Sequence, residues 1–145
     1  MKEKLLISSC LLGNNVKYNG KNNYISGIEA LKDKYDLIII CPEVMGGLSI
    51  PRIPSEIIEY EVINKEGKNV TKEFNKGADI AIDLVKKYKI KKALLKDGSP
   101  SCGSTYIYDG TFTGNKILNY GVTVRKLLKE NIKIYTEKNW MELLD

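Results

Sequence analysis

Leu5-Leu6-Ile7-Ser8-Ser9-Cys10 is a short apolar run that ends on a cysteine. The arrangement recurs at Leu37-Ile38-Ile39-Ile40-Cys41. It recurs again, through a longer loop, at Ala93-Leu94-Leu95 followed by Lys96-Asp97-Gly98-Ser99-Pro100-Ser101-Cys102. Continuous apolar runs this short read as strands buried on both faces. If the three strands lie parallel in one sheet, their carboxyl ends point the same way. All three sulfurs then meet above one edge of the sheet, where open α/β folds build their sites.

The segments between these runs alternate with them as helices. Gly13 to Asn23 is a polar, Gly/Asn-rich loop. Ser26 with Glu29 reads as a capping box for a short helix carrying Ile28 and Leu31. Asp36 to Ile40 is the second strand, and Pro42 to Pro54 a long loop holding three of the chain's four prolines, Pro42, Pro51 and Pro54. So long and stiff a loop is more often functional than idle. Glu59 to Asn64 reads as an edge hairpin strand turning at Glu66-Gly67. Thr71 is expected to cap the main helix, whose Phe74, Ala78, Ala81, Ile82, Val85 and Tyr88 recur at helical spacing. Lys92 to Lys96 is the third core strand, and Asp109-Gly110 a turn. Thr123 to Glu130 is a helix with Val124, Leu127 and Leu128 inward. Ile132 to Tyr135 is the last strand, and Thr136 caps a final helix packing Trp140, Leu143 and Leu144. No repeat, linker or second domain interrupts the series. The expectation is a single α/β domain over residues 1–145, a Rossmann-like parallel sheet with helices on both faces.

Bulk properties narrow the function classes. The 145 residues suffice for one core, and 43% hydrophobic content is ordinary for a globular protein. No apolar run approaches the roughly 18 to 20 residues needed to span a bilayer, and Met1-Lys2-Glu3-Lys4-Leu5 does not open a signal peptide. The expected location is therefore cytoplasmic, with no membrane partner. An odd cysteine count of three in a reducing compartment points to thiols or metal ligands rather than disulfides. The net charge of +5 argues little for nucleic acid, because much of the excess sits in Lys86-Lys87-Tyr88-Lys89-Ile90-Lys91-Lys92. That segment is a helix end and the turn after it, where lysines complement the helix dipole.

Two readings of the cysteines stand on spacing alone. Cys10 and Cys41 can be small buried hydrophobes at strand ends, or the three thiols can hold a metal. Thiolates are soft ligands suited to an iron–sulfur cluster, less well to zinc or copper(I). With no histidine in the chain, a structural zinc site of four cysteines or three cysteines and a histidine cannot be completed within it. A 4Fe-4S cluster normally takes four cysteines, so three leave one iron open to bind a substrate atom as a Lewis acid. The flanks favour chemistry. Cys41-Pro42-Glu43 sets a carboxylate beside one thiol, Ser99-Pro100-Ser101-Cys102-Gly103-Ser104 clusters hydroxyls around another, and Gly46-Gly47 allows close backbone approach to a ligand. Singly, Glu43 reads equally as a loop cap and Ser101 as a turn residue. Arg52 reads equally as an orienter of a polar ring edge and as a surface salt bridge.

Ser8-Ser9-Cys10-Leu11-Leu12-Gly13 with Tyr18-Asn19-Gly20 resembles the start of the small bacterial iron–sulfur desulfidase family that includes the 2-thiouracil desulfurases. Cys41-Pro42-Glu43-Val44-Met45-Gly46-Gly47-Leu48 with Pro51-Arg52-Ile53-Pro54 resembles its second block. Ser99-Pro100-Ser101-Cys102-Gly103, Ile107-Tyr108-Asp109-Gly110-Thr111-Phe112 and Gly121-Val122-Thr123 resemble its third. Ser9 departs mildly, standing where alanine is expected. The resemblance implies a 4Fe-4S cluster on Cys10, Cys41 and Cys102 and a catalytic pair Glu43 and Ser101. It implies non-redox removal of sulfur from a thiolated pyrimidine. Some relatives carry a further domain linked to thiolated transfer RNA; its absence from these 145 residues favours a free, small thiolated nucleobase.

The expected chemistry follows. Glu43 is a general base for water, Ser101 hydrogen-bonds the substrate and relays a proton, and Arg52 orients the ring. The rival readings are a non-catalytic iron–sulfur sensor or sulfur carrier, for which Glu43 would have no use, and a desulfidase of thiouridine in RNA. The lack of an aromatic-rich basic motif argues against the latter. Oligomeric state is not legible.

Overall fold

The computed structural model describes residues 2–145. Four strands, β1 (Glu3–Ser8), β2 (Tyr35–Ile40), β5 (Lys92–Leu94) and β8 (Lys133–Tyr135), form a sheet of order β2-β1-β5-β8. All three pairings are parallel. β1 lies inside the sheet, and its residues alternate across it. Leu5 and Ile7 face one apolar layer with Ile28, Leu31, Trp140 and Leu143. Leu6 faces the other, against Ala81 and Val85 of α2 (Thr71–Tyr88) and Val124 and Leu127 of α3 (Val122–Lys129). The α/β expectation of a parallel sheet covered on both faces is met.

The two faces differ in kind. α2 and α3 cover one. The other is covered by 3-10 turns, Ile28–Asp33 and Trp140–Leu144, not by the α-helices expected there. The expected caps also fail. Gly27, at φ 86, precedes the first turn in place of a Ser26 cap, and Asn139 precedes the last. Thr136 instead shapes the turn, its hydroxyl taking the Lys138 N–H at 3.1 Å. Thr71 does begin α2, but its hydroxyl accepts the Val62 N–H at 2.9 Å, so it ties the helix to a strand rather than capping it. Leu128 and Leu144, expected inward, are exposed.

Between β2 and α2 lie a one-turn helix α1 (Pro42–Met45) and an antiparallel hairpin, β3 (Ser55–Ile58) and β4 (Glu61–Asn64). The long proline loop thus begins as a helix. The hairpin turns at Glu59-Tyr60, while Glu66-Gly67 makes a second, smaller turn that brings Asn69 back to Ile63. Ile57 and Val62 of the hairpin pack with Val70, Phe74 and Ile107 in a third apolar cluster. A further small hairpin, β6 (Ile107–Tyr108) and β7 (Lys116–Ile117), follows the third cysteine. Both hairpins stand beside the sheet's carboxyl edge and wall the space above it. Among the described residues no helix is long and apolar enough to cross a membrane.

Candidate active site

The parallel sheet delivers the three cysteines to one place. Cys10 sits in the 3-10 turn Ser9–Leu12 that ends β1. Cys41 directly follows β2 and precedes α1. Cys102 lies in the loop after β5. All three line a single cavity of about 520 Å³ at the sheet's carboxyl edge, together with Glu43, Arg52 and Lys96.

α1 aims the second cysteine and its carboxylate. Pro42 opens the helix, where its missing N–H costs nothing. α1 then lies against α2 through two glycines. A Cβ on Gly77 would overlap the Pro42 carbonyl oxygen, and one on Gly46 the Glu73 carbonyl oxygen. Gly46 therefore serves helix packing, not the ligand approach expected of Gly46-Gly47. Glu43 projects from the first turn into the cavity. Arg52 donates from Nε to Glu43 Oε1 at 3.0 Å, with the two side chains only 8% and 16% exposed. Its Nη2 donates to the Val16 carbonyl at 2.9 Å and its Nη1 to Ser49 at 3.3 Å, while its backbone N–H reaches the Tyr18 carbonyl at 2.8 Å. One arginine thus fastens the loop after Cys10, the proline loop and the carboxylate together.

The Cys102 loop is stitched to α3 and folded on Asp97. The carbonyls of Pro100 and Ser101 accept the N–H groups of Val122 and Thr123 at 2.8 and 2.9 Å. Asp97 Oδ1 accepts three backbone N–H groups, those of Gly98, Ser104 and Thr105, at 2.9 to 3.0 Å. Ser99 Oγ accepts the Cys102 N–H at 2.7 Å. Ser101 is beside Cys102 but does not line the cavity. Its hydroxyl is buried against Thr123 Oγ1 at 2.7 Å and stands 3.8 Å from the Cys102 sulfur. The structure therefore brings Cys10, Cys41, Cys102, Glu43 and Arg52 to one cavity, with Ser101 one layer behind.

Sequence reading passed over three groups. Asn23 donates to the Cys10 sulfur at 3.4 Å. Lys96 reaches the cavity wall, held by Glu137 at 2.9 Å. Asp97 shapes the Cys102 loop. Only position flagged them: Lys96 and Asp97 follow the third strand in the run that leads to Cys102, and Asn23 ends the polar loop after the first cysteine.

Electrostatics mark the thiols as unready by themselves. Burial pushes all three thiols up, Cys102 to about 12, with the Glu43 charge adding to it. The Asn23 hydrogen bond works against this at Cys10, and the Val44 N–H at Cys41. Burial also raises the Glu43 carboxyl above its usual range, against the pull of Arg52. Clustered protonated thiols become ligands only as a metal displaces their protons. Among the described residues no three cysteine or carboxylate groups converge on a single ion. Cys10, Cys41 and Cys102 nonetheless border one cavity, three soft donors without a histidine. The donor set fits a 4Fe-4S cluster.

A parallel α/β sheet here carries three thiols and a clamped carboxylate in one cavity at its carboxyl edge, the donor chemistry of an iron–sulfur site. The family model described as 2-thiouracil desulfurase matches residues 5–139, and the chain belongs to that family. A solved structure of a [4Fe-4S]-dependent thiouracil desulfidase, TudS, is similar with a TM-score of 0.92 and 39% identity, covering 99% of this chain and 96% of its own. The uncharacterized protein YbbK of Bacillus subtilis (strain 168) is 35% identical over 150 residues, spanning 97% of this chain and 99% of YbbK.

Proposed function

We propose that this protein is a 4Fe-4S-dependent thiouracil desulfidase that replaces the thiocarbonyl sulfur of a small thiolated nucleobase with oxygen from water and releases hydrosulfide. The observation that carries this reading is the meeting of three thiols from three parallel strands with Glu43 in one cavity. Family membership and the likeness to TudS support it. Cys10, Cys41 and Cys102 would hold the cluster, whose iron without a protein ligand supplies a Lewis acid for sulfur.

The chain's own residues do the rest. Arg52 occupies Glu43 Oε1 and fixes its direction, which leaves Oε2 to take a proton from the attacking water. Three of the five guanidinium N–H groups are spent on Glu43, Ser49 and Val16. The remaining two stay available to a polar ring edge. Ser101, its hydroxyl shared with Thr123 Oγ1 at 2.7 Å and 3.8 Å from the Cys102 sulfur, acts on that sulfur rather than on the substrate, as a hydrogen-bond donor once the thiol has lost its proton. The balance is thiocarbonyl plus water to carbonyl plus hydrosulfide and a proton, with no change in carbon oxidation level. Glu43 beside Cys41 favours an enzyme over a sensor. The activity belongs to one domain over residues 1–145, acting in the reducing cytoplasm, where its cysteines are kept from pairing as disulfides.

The test is anaerobic reconstitution, addition of 2-thiouracil without reductant, and measurement of hydrosulfide and uracil. Many turnovers per cluster are expected. Product that halts at about one equivalent until a reductant is added would overturn the non-redox reading.

A further inference from the structure

Phe112 has a positive φ of 57. Such a backbone is unfavourable for a bulky side chain and persists only where surroundings impose it. The other non-glycine residues with positive φ are Glu59, Lys89 and Asn131; they sit at the β3–β4 turn and at the ends of α2 and α3, away from the cavity. Phe112 lines the cavity with the three cysteines and Glu43, yet belongs to none of the three apolar clusters. Its ring therefore has no place in the core to justify the strain.

The surroundings that impose it are specific. Glu56 Oε1 accepts the N–H of Gly110 at 2.9 Å and that of Phe112 at 3.2 Å. Asp109 accepts the Thr111 N–H at 3.0 Å and hydroxyl at 2.6 Å, and the Asn115 amide at 2.8 Å. An exposed hairpin tip is thus braced by two carboxylates, and its aromatic side chain borders the cavity. Tyr108 lies on the same wall. Aromatic faces recognise flat heterocycles by stacking, which tolerates ring substituents.

We propose that Phe112 is a substrate-contacting residue whose ring stacks on the nucleobase, and that Glu56 is the positioning residue that sets it. This rests on the thiouracil reading above. Stacking restricts how the ring, and with it the thiocarbonyl, lies in the cavity.

Uracil lacks the thiocarbonyl, so its binding to anaerobic holo-protein by calorimetry reports ring recognition apart from any sulfur contact. Phe112→Ala and Phe112→Gly should weaken uracil binding roughly 5- to 150-fold, and Phe112→Tyr should stay close to wild type. Phe112→Gly should melt at or above the wild-type temperature, because glycine adopts positive φ without strain. Glu56→Ala should weaken uracil binding, and Glu56→Gln, which keeps an acceptor oxygen, should restore it. Iron content should be unchanged throughout. If wild type turns over 2-thiouracil but Phe112→Ala binds uracil as wild type does, the stacking proposal is wrong. A lower melting temperature for Phe112→Gly with unchanged uracil affinity would likewise make Phe112 a packing residue. Wild type that neither turns over 2-thiouracil nor binds uracil would overturn the thiouracil reading itself.

Discussion

Gly77 of α2 meets the carbonyl of Pro42 at the start of α1 with no room for a Cβ between them. The contact lies one residue from Cys41 and one from Glu43, so the main helix sets the height of both groups above the sheet. Gly77→Ala should push α1 away. Overpacking of this kind costs roughly 1 to 3 kcal/mol, read as a lower urea midpoint with unchanged slope. Iron retained after anaerobic reconstitution should fall with it. Wild-type stability and iron content would show that α1 can shift without consequence.

Each thiol is a separate arm of the site. Cys10→Ser, Cys41→Ser and Cys102→Ser should each lower bound iron and sulfide after anaerobic reconstitution, measured chemically and by the visible absorption of the cluster. A full complement of four irons in any one variant removes that cysteine from the site.

Glu43→Gln keeps shape and the Arg52 contact but cannot take a proton. Its iron content should match wild type, while release of hydrosulfide from 2-thiouracil slows on the order of 100- to 10,000-fold. Unchanged turnover would exclude Glu43 as the base.

Asp97 makes a separate acid-side prediction. Burial works to raise its carboxyl, yet the N–H groups of Thr105, Ser104 and Gly98 hold it below the ordinary value of 3.8. A carboxylate with a lower pKa folded than unfolded stabilises the fold above the unfolded pKa and loses that contribution as pH falls through the folded one. Asp97→Asn should therefore be less stable at pH 7, by roughly 1.5 to 3 kcal/mol. The gap to wild type should narrow below about pH 4. Chemical denaturation across that range measures it, and a gap that stays constant in acid would refute the assignment.

Leu5 to Ile7 and Ala93 to Leu95 announced the parallel sheet because a strand buried on both faces must be apolar at every position; Leu37 to Ile40 carried the same pattern, but β2 lies at the sheet edge, where Ile39 is exposed. Given parallel strands, the same pattern places Cys10, Cys41 and Cys102 at one edge, where all three line the cavity. Helix α2 was equally legible from its period. Ser26, Thr71 and Thr136 misled as caps, because a capping residue is defined by a hydrogen bond, and the hydroxyl of Thr71 found its partner on β4 instead. Three further relationships belong to tertiary structure alone: Arg52 on Glu43 nine residues away, Ser101 turned from the cavity toward Thr123, and Glu56 bracing Phe112 across 56 residues. Local pattern encodes burial and period. Which polar group meets which depends on how loops of irregular backbone cross, and that is decided only once the sheet and its two hairpins have closed around the cavity.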